Sequence, residues 1–260
     1  MSLQSDFARL FREGGRAALV TVVSVDGAPD GVEVGARTLL HSDGSSQGTL
    51  GTAGLDAAAR THADELLWGS ERSVLREEQG AGLFVDVAAP SPRILIFGAV
   101  DFAAALCRTA RVTGWRPYVI DPRSRFATPE RFPEAEEVIA GWPADAIEHL
   151  GGIDRATYLA VLTHDPKLDD AALTVALDSD APYIGAMGSR RAQAKRRERL
   201  VAAGITDGQL ERISAPIGLD IGALGSEETA LSIMAEVVAV RNGRQGGRLA
   251  TASGRIHEAV

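Results

Sequence analysis

The chain has 260 residues, 45% of them apolar and 24% charged, with 28 Gly, 11 Pro and one Cys. This composition is too apolar for a disordered chain, too poor in Cys for a disulfide scaffold, and lacks the Gly at every third position that collagen needs. A net charge of −8, from 27 Lys and Arg against 35 Asp and Glu, argues against a nucleic-acid or anionic-membrane binder and for a small-molecule or protein partner.

The length suits one or two domains with a real core. Cys107 stands alone, so no intramolecular disulfide, multi-Cys metal site or iron–sulfur site can form, and a cytoplasmic protein is expected. The opening MSLQSDFARLFREGG has no apolar core of signal-peptide length, and no apolar run approaches the ~20 residues of a membrane helix. Neither export nor membrane spanning is expected.

In chain order, Phe7, Leu10 and Phe11 recur at helical spacing within 5–12. The β-branched run 17–24 (AALVTVVS) and the run 36–41 (ARTLLH) then read as strands, each followed by turn-rich text at 26–31 and 42–48. A helix over 55–68 and a strand over 82–88 complete a small α+β unit, and AAPSP at 88–92 reads as a linker. Beyond it, strands at 93–98, 117–121, 135–140, 157–163 and 182–187 alternate with helices at 101–113, 144–150, 166–178, 189–203 and 227–241. Such alternation implies parallel pairing in a doubly wound sheet. The last helix is expected to be capped by Ser226, to end at Asn242-Gly243, and to bury Ala230, Ile233, Met234, Val237 and Val238. The fold class is therefore α/β: a small N-terminal α+β domain (1–90), a Rossmann-like doubly wound parallel-sheet domain (91–243), and a flexible tail (244–260).

Candidate chemistry gathers where these strands end. RILIFG runs into Gly98-Ala99-Val100-Asp101, and Asp121 closes the next strand 23 positions after Gly98. This matches the context of a dinucleotide fingerprint, whose acid lies roughly 20 residues on. The second glycine is replaced by Val100, whose branched Cβ crowds a pyrophosphate. Asp101, read as an N-cap, adds a carboxylate where an anion would bind, so NAD(P) is disfavoured there. Thr163-His164-Asp165-Pro166 follows another strand. Asp165 reads as N-cap before Pro166 at N1, and His164 as either a hydrogen-bonded loop residue or a ligand contact. Gly188, Ser189, Arg190 and Arg191 open a helix bearing six basic residues within 190–199. Arg190 and Arg191 either clamp a phosphate near unpaired amides or join Lys195 to Arg199 on a solvated face. The Gly-bearing loop 215–222 either approaches a ligand or is simply close-packed. His41, His62, His149 and His257 lack metal-ligand spacing, and no protein-bound metal is expected.

THDPKLDD (163–170), YIGAMGSRRAQAKRRERL (183–200) and APIGLDIGALGSEETALSIMAEVVAVR (215–241) together resemble the C-terminal Rossmann domain of the XdhC/CoxI family, the xanthine dehydrogenase accessory proteins. ALVTVV (18–23) and Val34-Gly35-Ala36-Arg37 resemble that family's first strands. The resemblance implies a homodimeric accessory protein without turnover of its own. Such a protein binds the molybdenum cofactor (molybdopterin), protects it during sulfuration and delivers it to the apo-enzyme of a molybdenum hydroxylase. On that reading Gly98, Asp121, His164, Asp165, Gly188, Ser189, Arg190 and Arg191 bind the cofactor, and no residue is catalytic. Two positions depart from the pattern. The family loop Gly-Ala-Gly-His is Gly98-Ala99-Val100-Asp101 here, and its Ser-Gly-Gly-Cys is Gly51-Thr52-Ala53-Gly54. The thiol, a natural soft ligand, is absent, and Cys107 in the middle of a helix reads as a buried packing residue. The alternatives are an NAD(P)-binding oxidoreductase reading ribose through Asp121 or through Arg123 and Arg125, or a degenerate Rossmann interaction protein.

Overall fold

A computed structural model describes residues 2–252 and divides the chain into two compact units between Pro90 and Ser91.

The first unit comprises α1 (Leu3–Arg12), β1 (Ala17–Val25), β2 (Arg37–His41), β3 (Ser46–Thr49), α2 (Ala53–Trp68), β4 (Ser73–Glu78) and β5 (Ala81–Ala88). The strands form one antiparallel sheet in the order β3-β2-β1-β5-β4. Period-2 alternation in the central β1 sends Ala18, Val20 and Val22 under α2, against Leu55, Ala59, Ala63 and Leu66. Ala17 and Leu19 face the other way and pack with Leu3, Phe7 and Leu10 of α1. Part of the segment expected to be turn, 42–48, pairs instead as β3, and β4 has no counterpart among the expected strands. Both are edge strands, so neither carries the continuous apolar text of a strand covered on both faces.

The second unit contains β6 (Arg93–Phe97), α3 (Asp101–Val112), β7 (Arg116–Ile120), β8 (Glu137–Ile139), α4 (Pro143–His149), β9 (Thr157–Val161), α5 (Pro166–Leu177), β10 (Tyr183–Ala186), α6 (Arg190–Ala202), α7 (Asp207–Leu210), β11 (Ile213–Ser214) and α8 (Ser226–Arg241). Every strand pair is parallel, in the order β11-β10-β9-β6-β7-β8. Growth of the sheet therefore reverses between β6 and β9, as in a Rossmann domain. Burial on both faces explains the continuous apolar text of RILIF. Ile94 and Ile96 meet Leu106 of α3 and Ile233 of α8, whereas Leu95 and Phe97 meet Leu173 of α5 and Leu200 of α6.

Three local expectations are corrected. Val100, in an extended conformation, is the N-cap of α3, so Asp101 already lies in the helix and its side chain makes no cap. Gly225 caps α8, and the Ser226 hydroxyl donates to Glu227 (2.7 Å). Val238 is 37% exposed and so falls outside the buried stripe of Ala230, Ile233, Met234 and Val237. Within the expected tail, Leu249–Thr251 form a 3-10 turn, and 253–260, including His257, lie outside the described residues.

Candidate functional site

Parallel strands end on one side, so the loops after β6, β7, β9 and β10 collect along the sheet's carboxyl edge, where open α/β folds hold ligands. Gly98 follows β6, Asp121 follows β7, His164 and Asp165 follow β9, and Gly188 to Arg191 follow β10. All the residues nominated from sequence thus share one edge.

Gly98 has φ +113°, and a Cβ there would lie 2.8 Å from the Thr163 methyl, so glycine alone allows the β6 and β9 loops to touch. The Ala99 N–H donates to Asp121 (2.8 Å). Asp101 stands at the first helical position of α3 with its carboxylate 95% exposed and 3.4 Å from Arg131. Arg131 also donates to the carbonyls of Ala99 and Phe126 (both 3.0 Å). This turn is therefore latched by an arginine and fronted by an acid. A bridging pyrophosphate does not fit it, because the helix N-terminus already carries a negative charge and the Val100 Cβ stands where the phosphate would approach.

Asp121 is fully buried, and both of its oxygens are engaged. One accepts from Ala99 and from Arg123 Nη2 (2.7 Å), the other from the Arg123 amide and Nε (both 2.9 Å). Burial by itself would raise its pKa, but the Arg123 guanidinium and the two amides outweigh it and hold the carboxyl below its ordinary value. Asp121 thus clamps its own loop and presents no free oxygen to a ligand.

In the β9 loop, the Thr163 hydroxyl accepts from the Asp165 amide and donates to Asp169 (both 2.8 Å). Asp165 caps α5 by accepting the Lys167 N–H (2.9 Å), with Pro166 following at N1. His164 is exposed and has no hydrogen-bond partner among the described residues.

Beneath the β10 turn lies a network that sequence reasoning does not reveal. Arg196 is 4% exposed and donates to Asp169 (2.7 Å), to the Met187 carbonyl (3.0 Å) and to Gln193. The Gln193 amide in turn donates to the carbonyls of Ala186 and Gly188 (both 3.2 Å). Thr163, Asp169, Arg196 and Gln193 thereby tie the β9 and β10 loops together from inside. The expected solvated face of Lys195 to Arg199 is corrected accordingly: Arg196 points into the core, and Arg199 grips Asp170 with two bonds (2.6 and 2.9 Å). One sequence signal bears on this, since Arg196 sits four positions before the buried Leu200 on the inner stripe of α6. Above this network, Ser189 caps α6 by accepting the Ala192 N–H (3.3 Å), and the first turn of α6 carries no acid. Arg190 and Arg191 are exposed and lack hydrogen-bond or ion-pair partners among the described residues.

The loop 215–222 is shaped by packing. Gly218 donates to Glu236 (2.7 Å), and a Cβ at Gly218 would lie 2.4 Å from the Ser232 hydroxyl. In the N-terminal unit, Gly51 (φ +108°) approaches Gly31 too closely for any side chain, while Gly54 opens α2 against the Gln79 amide. Cys107 is buried within α3. Burial, with the nearby Glu134 charge, pushes its thiol up to about 12, so it is inert as a thiolate. Among the described residues, no group of three or more His, Cys, Asp or Glu could hold a metal ion, and no helix is long and apolar enough to cross a membrane.

A protein of Bacillus subtilis (strain 168) named as a probable xanthine dehydrogenase subunit is 29% identical over 164 residues, 63% of this chain and 47% of that protein. The molybdenum cofactor insertion chaperone PaoD of Escherichia coli (strain K12) is 28% identical over 152 residues, 58% of this chain and 41% of PaoD. The uncharacterized protein YqeB of the same strain is 23% identical over 261 residues, 95% of this chain and 48% of that protein. The chain thus spans about half the length of the curated relatives it matches. A crystal structure titled as a xanthine dehydrogenase from Bacillus halodurans shares the fold, with a TM-score of 0.54 at 21% identity over 97% of this chain and 98% of that one. The XdhC Rossmann domain model matches residues 94–237 and the XdhC and CoxI family model matches residues 10–77, so the chain belongs to the XdhC family.

Proposed function

We propose that this chain is an accessory protein for a molybdenum hydroxylase, and that it holds a phosphorylated pterin, the molybdenum cofactor or its precursor, for delivery to the apo-enzyme. One observation carries the reading: at the end of β10 the α6 N-terminus offers two exposed guanidiniums, without partners among the described residues, and no acid in its first turn, above the buried Arg196–Asp169 pair. A phosphate monoester fits it. Arg190 and Arg191 supply charge and forked donors, and the first amides of α6 supply aligned dipoles. His164, on the neighbouring β9 loop, would add a donor to the pterin ring. The relatives support the role, since one is named a molybdenum cofactor insertion chaperone and another is named for xanthine dehydrogenase. The absence of a thiol at Gly54 leaves phosphate recognition, rather than metal or sulfur ligation, as the source of affinity.

Equilibrium dialysis of the purified chain against molybdopterin tests this. Binding in the low-micromolar range or tighter, about −8 kcal/mol, is expected. Arg190→Ala with Arg191→Ala should weaken it by at least about tenfold while stability stays within about 0.5 kcal/mol, as for ordinary surface substitutions. Absence of binding by the unmodified chain would sink the proposal.

A further inference from the structure

We propose that the β7 end of the same edge is a separate subsite for a phosphate monoester on the ribose of a nucleoside ligand, held by Arg123 and Arg125. In an open α/β sheet the acid closing this strand usually meets the ribose hydroxyls. Here Asp121 is fully buried, and all of its contacts run to Ala99 and Arg123. What faces solvent instead is cationic. The Arg123 side chain is 45% exposed and locked by its two-pronged grip on Asp121. Arg125 lies over the Phe126 ring at 4.5 Å, and Arg123 over the same ring at 5.0 Å. Arg125 has no carboxylate partner among the described residues.

Three guanidiniums lie over the Phe126 ring, the third being Arg131 at 5.8 Å, which is committed to Ala99, Phe126 and Asp101. Arg123 is fixed on Asp121, and Arg125 has no polar partner among the described residues, so the pair offers the charge and forked donors that a phosphate monoester takes. Asp121, the usual acceptor for a bare diol, has both of its oxygens engaged. The other carboxylate whose charge reaches Arg123 is Asp165, from the β9 loop. The subsite lies three strands from the Arg190–Arg191 turn, about 14 Å at ordinary strand spacing. That span suits one ligand with phosphates toward both ends. The inference rests on the proposed function only in placing both subsites on one edge.

The test is calorimetric titration of the full chain, at low ionic strength, with adenosine 2′,5′-bisphosphate, AMP and inorganic phosphate. The bisphosphate is expected to bind at least about tenfold tighter than AMP, a difference of about 1.4 kcal/mol. Arg125→Ala should bring the two within about twofold of each other on the same free-energy scale. Arg125 makes no ion pair among the described residues, so this variant should fold, whereas loss of Arg123 would strand the buried Asp121. Arg12→Ala, which removes one positive charge in the N-terminal unit, should keep the preference. Equal binding of bisphosphate and AMP, a preference that survives Arg125→Ala, or equal competition by inorganic phosphate would each overturn the assignment. Molybdopterin dialysis reads the Arg190–Arg191 turn independently, so either proposal can fail while the other stands.

Discussion

Two turns of the Rossmann unit occupy equivalent positions, each joining a strand's carboxyl end to a helix, yet they have opposite electrostatics. The β6–α3 turn has Asp101 at its helix start, Asp121 bonded beneath it and Arg131 drawn across it. The β10–α6 turn has arginines at its helix start, no acid in its first turn, and its structural arginine turned inward on Asp169. Topology places a dinucleotide's pyrophosphate on the first turn, but charge favours an anion on the second. Fold supplies a row of equivalent helix ends, and side chains choose among them.

Loss of Arg196 should disturb this contrast most severely. Its pair with Asp169 leaves both side chains about 5% exposed, and its Nε is buried without a partner. Arg196→Met strands a buried carboxylate and should cost about 3–5 kcal/mol, read as a lowered urea midpoint. Removing both charges, Arg196→Met with Asp169→Leu, should recover most of that loss, because the uncompensated charge goes with its partner. A loss below about 1 kcal/mol for the single variant, near the average for any point mutation, would mean that the network does not hold the α6 turn.

The first turn should respond at Asp121 by a smaller amount and in a pH-dependent way. Asp121→Asn removes charge-assisted bonds from Arg123 and Ala99 and should cost about 2 kcal/mol at neutral pH. The Asp121 carboxyl is held below its ordinary value, so its ionised form favours the folded state. That contribution is fully present above the unfolded pKa of about 3.9 and is lost as pH falls through the lower folded value. Urea midpoints measured from neutral to strongly acidic pH should therefore converge for the two proteins at the acid end. A constant gap would assign the loss to geometry instead of charge.

Long periodic segments are legible in the sequence because their burial is local. RILIF alternates between two helix layers, and Gly98 and Asp121 announce the end of one strand and of the next. The edge strands β3, β4 and β11 are hidden because their pairing depends on partners, not on an apolar face of their own. The helix expected over 101–113 starts at Asp101 as expected, but Val100 holds the cap position, which makes Asp101 an exposed first-turn acid. Arg196 escapes sequence reading for a deeper reason. A buried charge is recognisable only through its partner, and Asp169 lies 27 positions earlier on another helix. The candidate residues at the carboxyl edge are visible because strand ends locate them, whereas their supports require the tertiary fold.

The smallest expected effect separates the two obstacles at the β6–α3 turn. Asp101→Asn removes a favourable charge from the positive end of α3 and weakens the link to Arg131, so it should cost less than about 1 kcal/mol. Its value lies in the ligand response. ADP-ribose, which carries a pyrophosphate, should gain little affinity for Asp101→Asn alone, because the Val100 Cβ still blocks the approach to the backbone. Adding Val100→Gly removes the steric barrier as well, and the paired variant should bind ADP-ribose measurably tighter by calorimetry than either single variant. A full gain from Asp101→Asn alone would identify charge as the whole barrier, leaving Val100 a bystander in the contrast between the two turns.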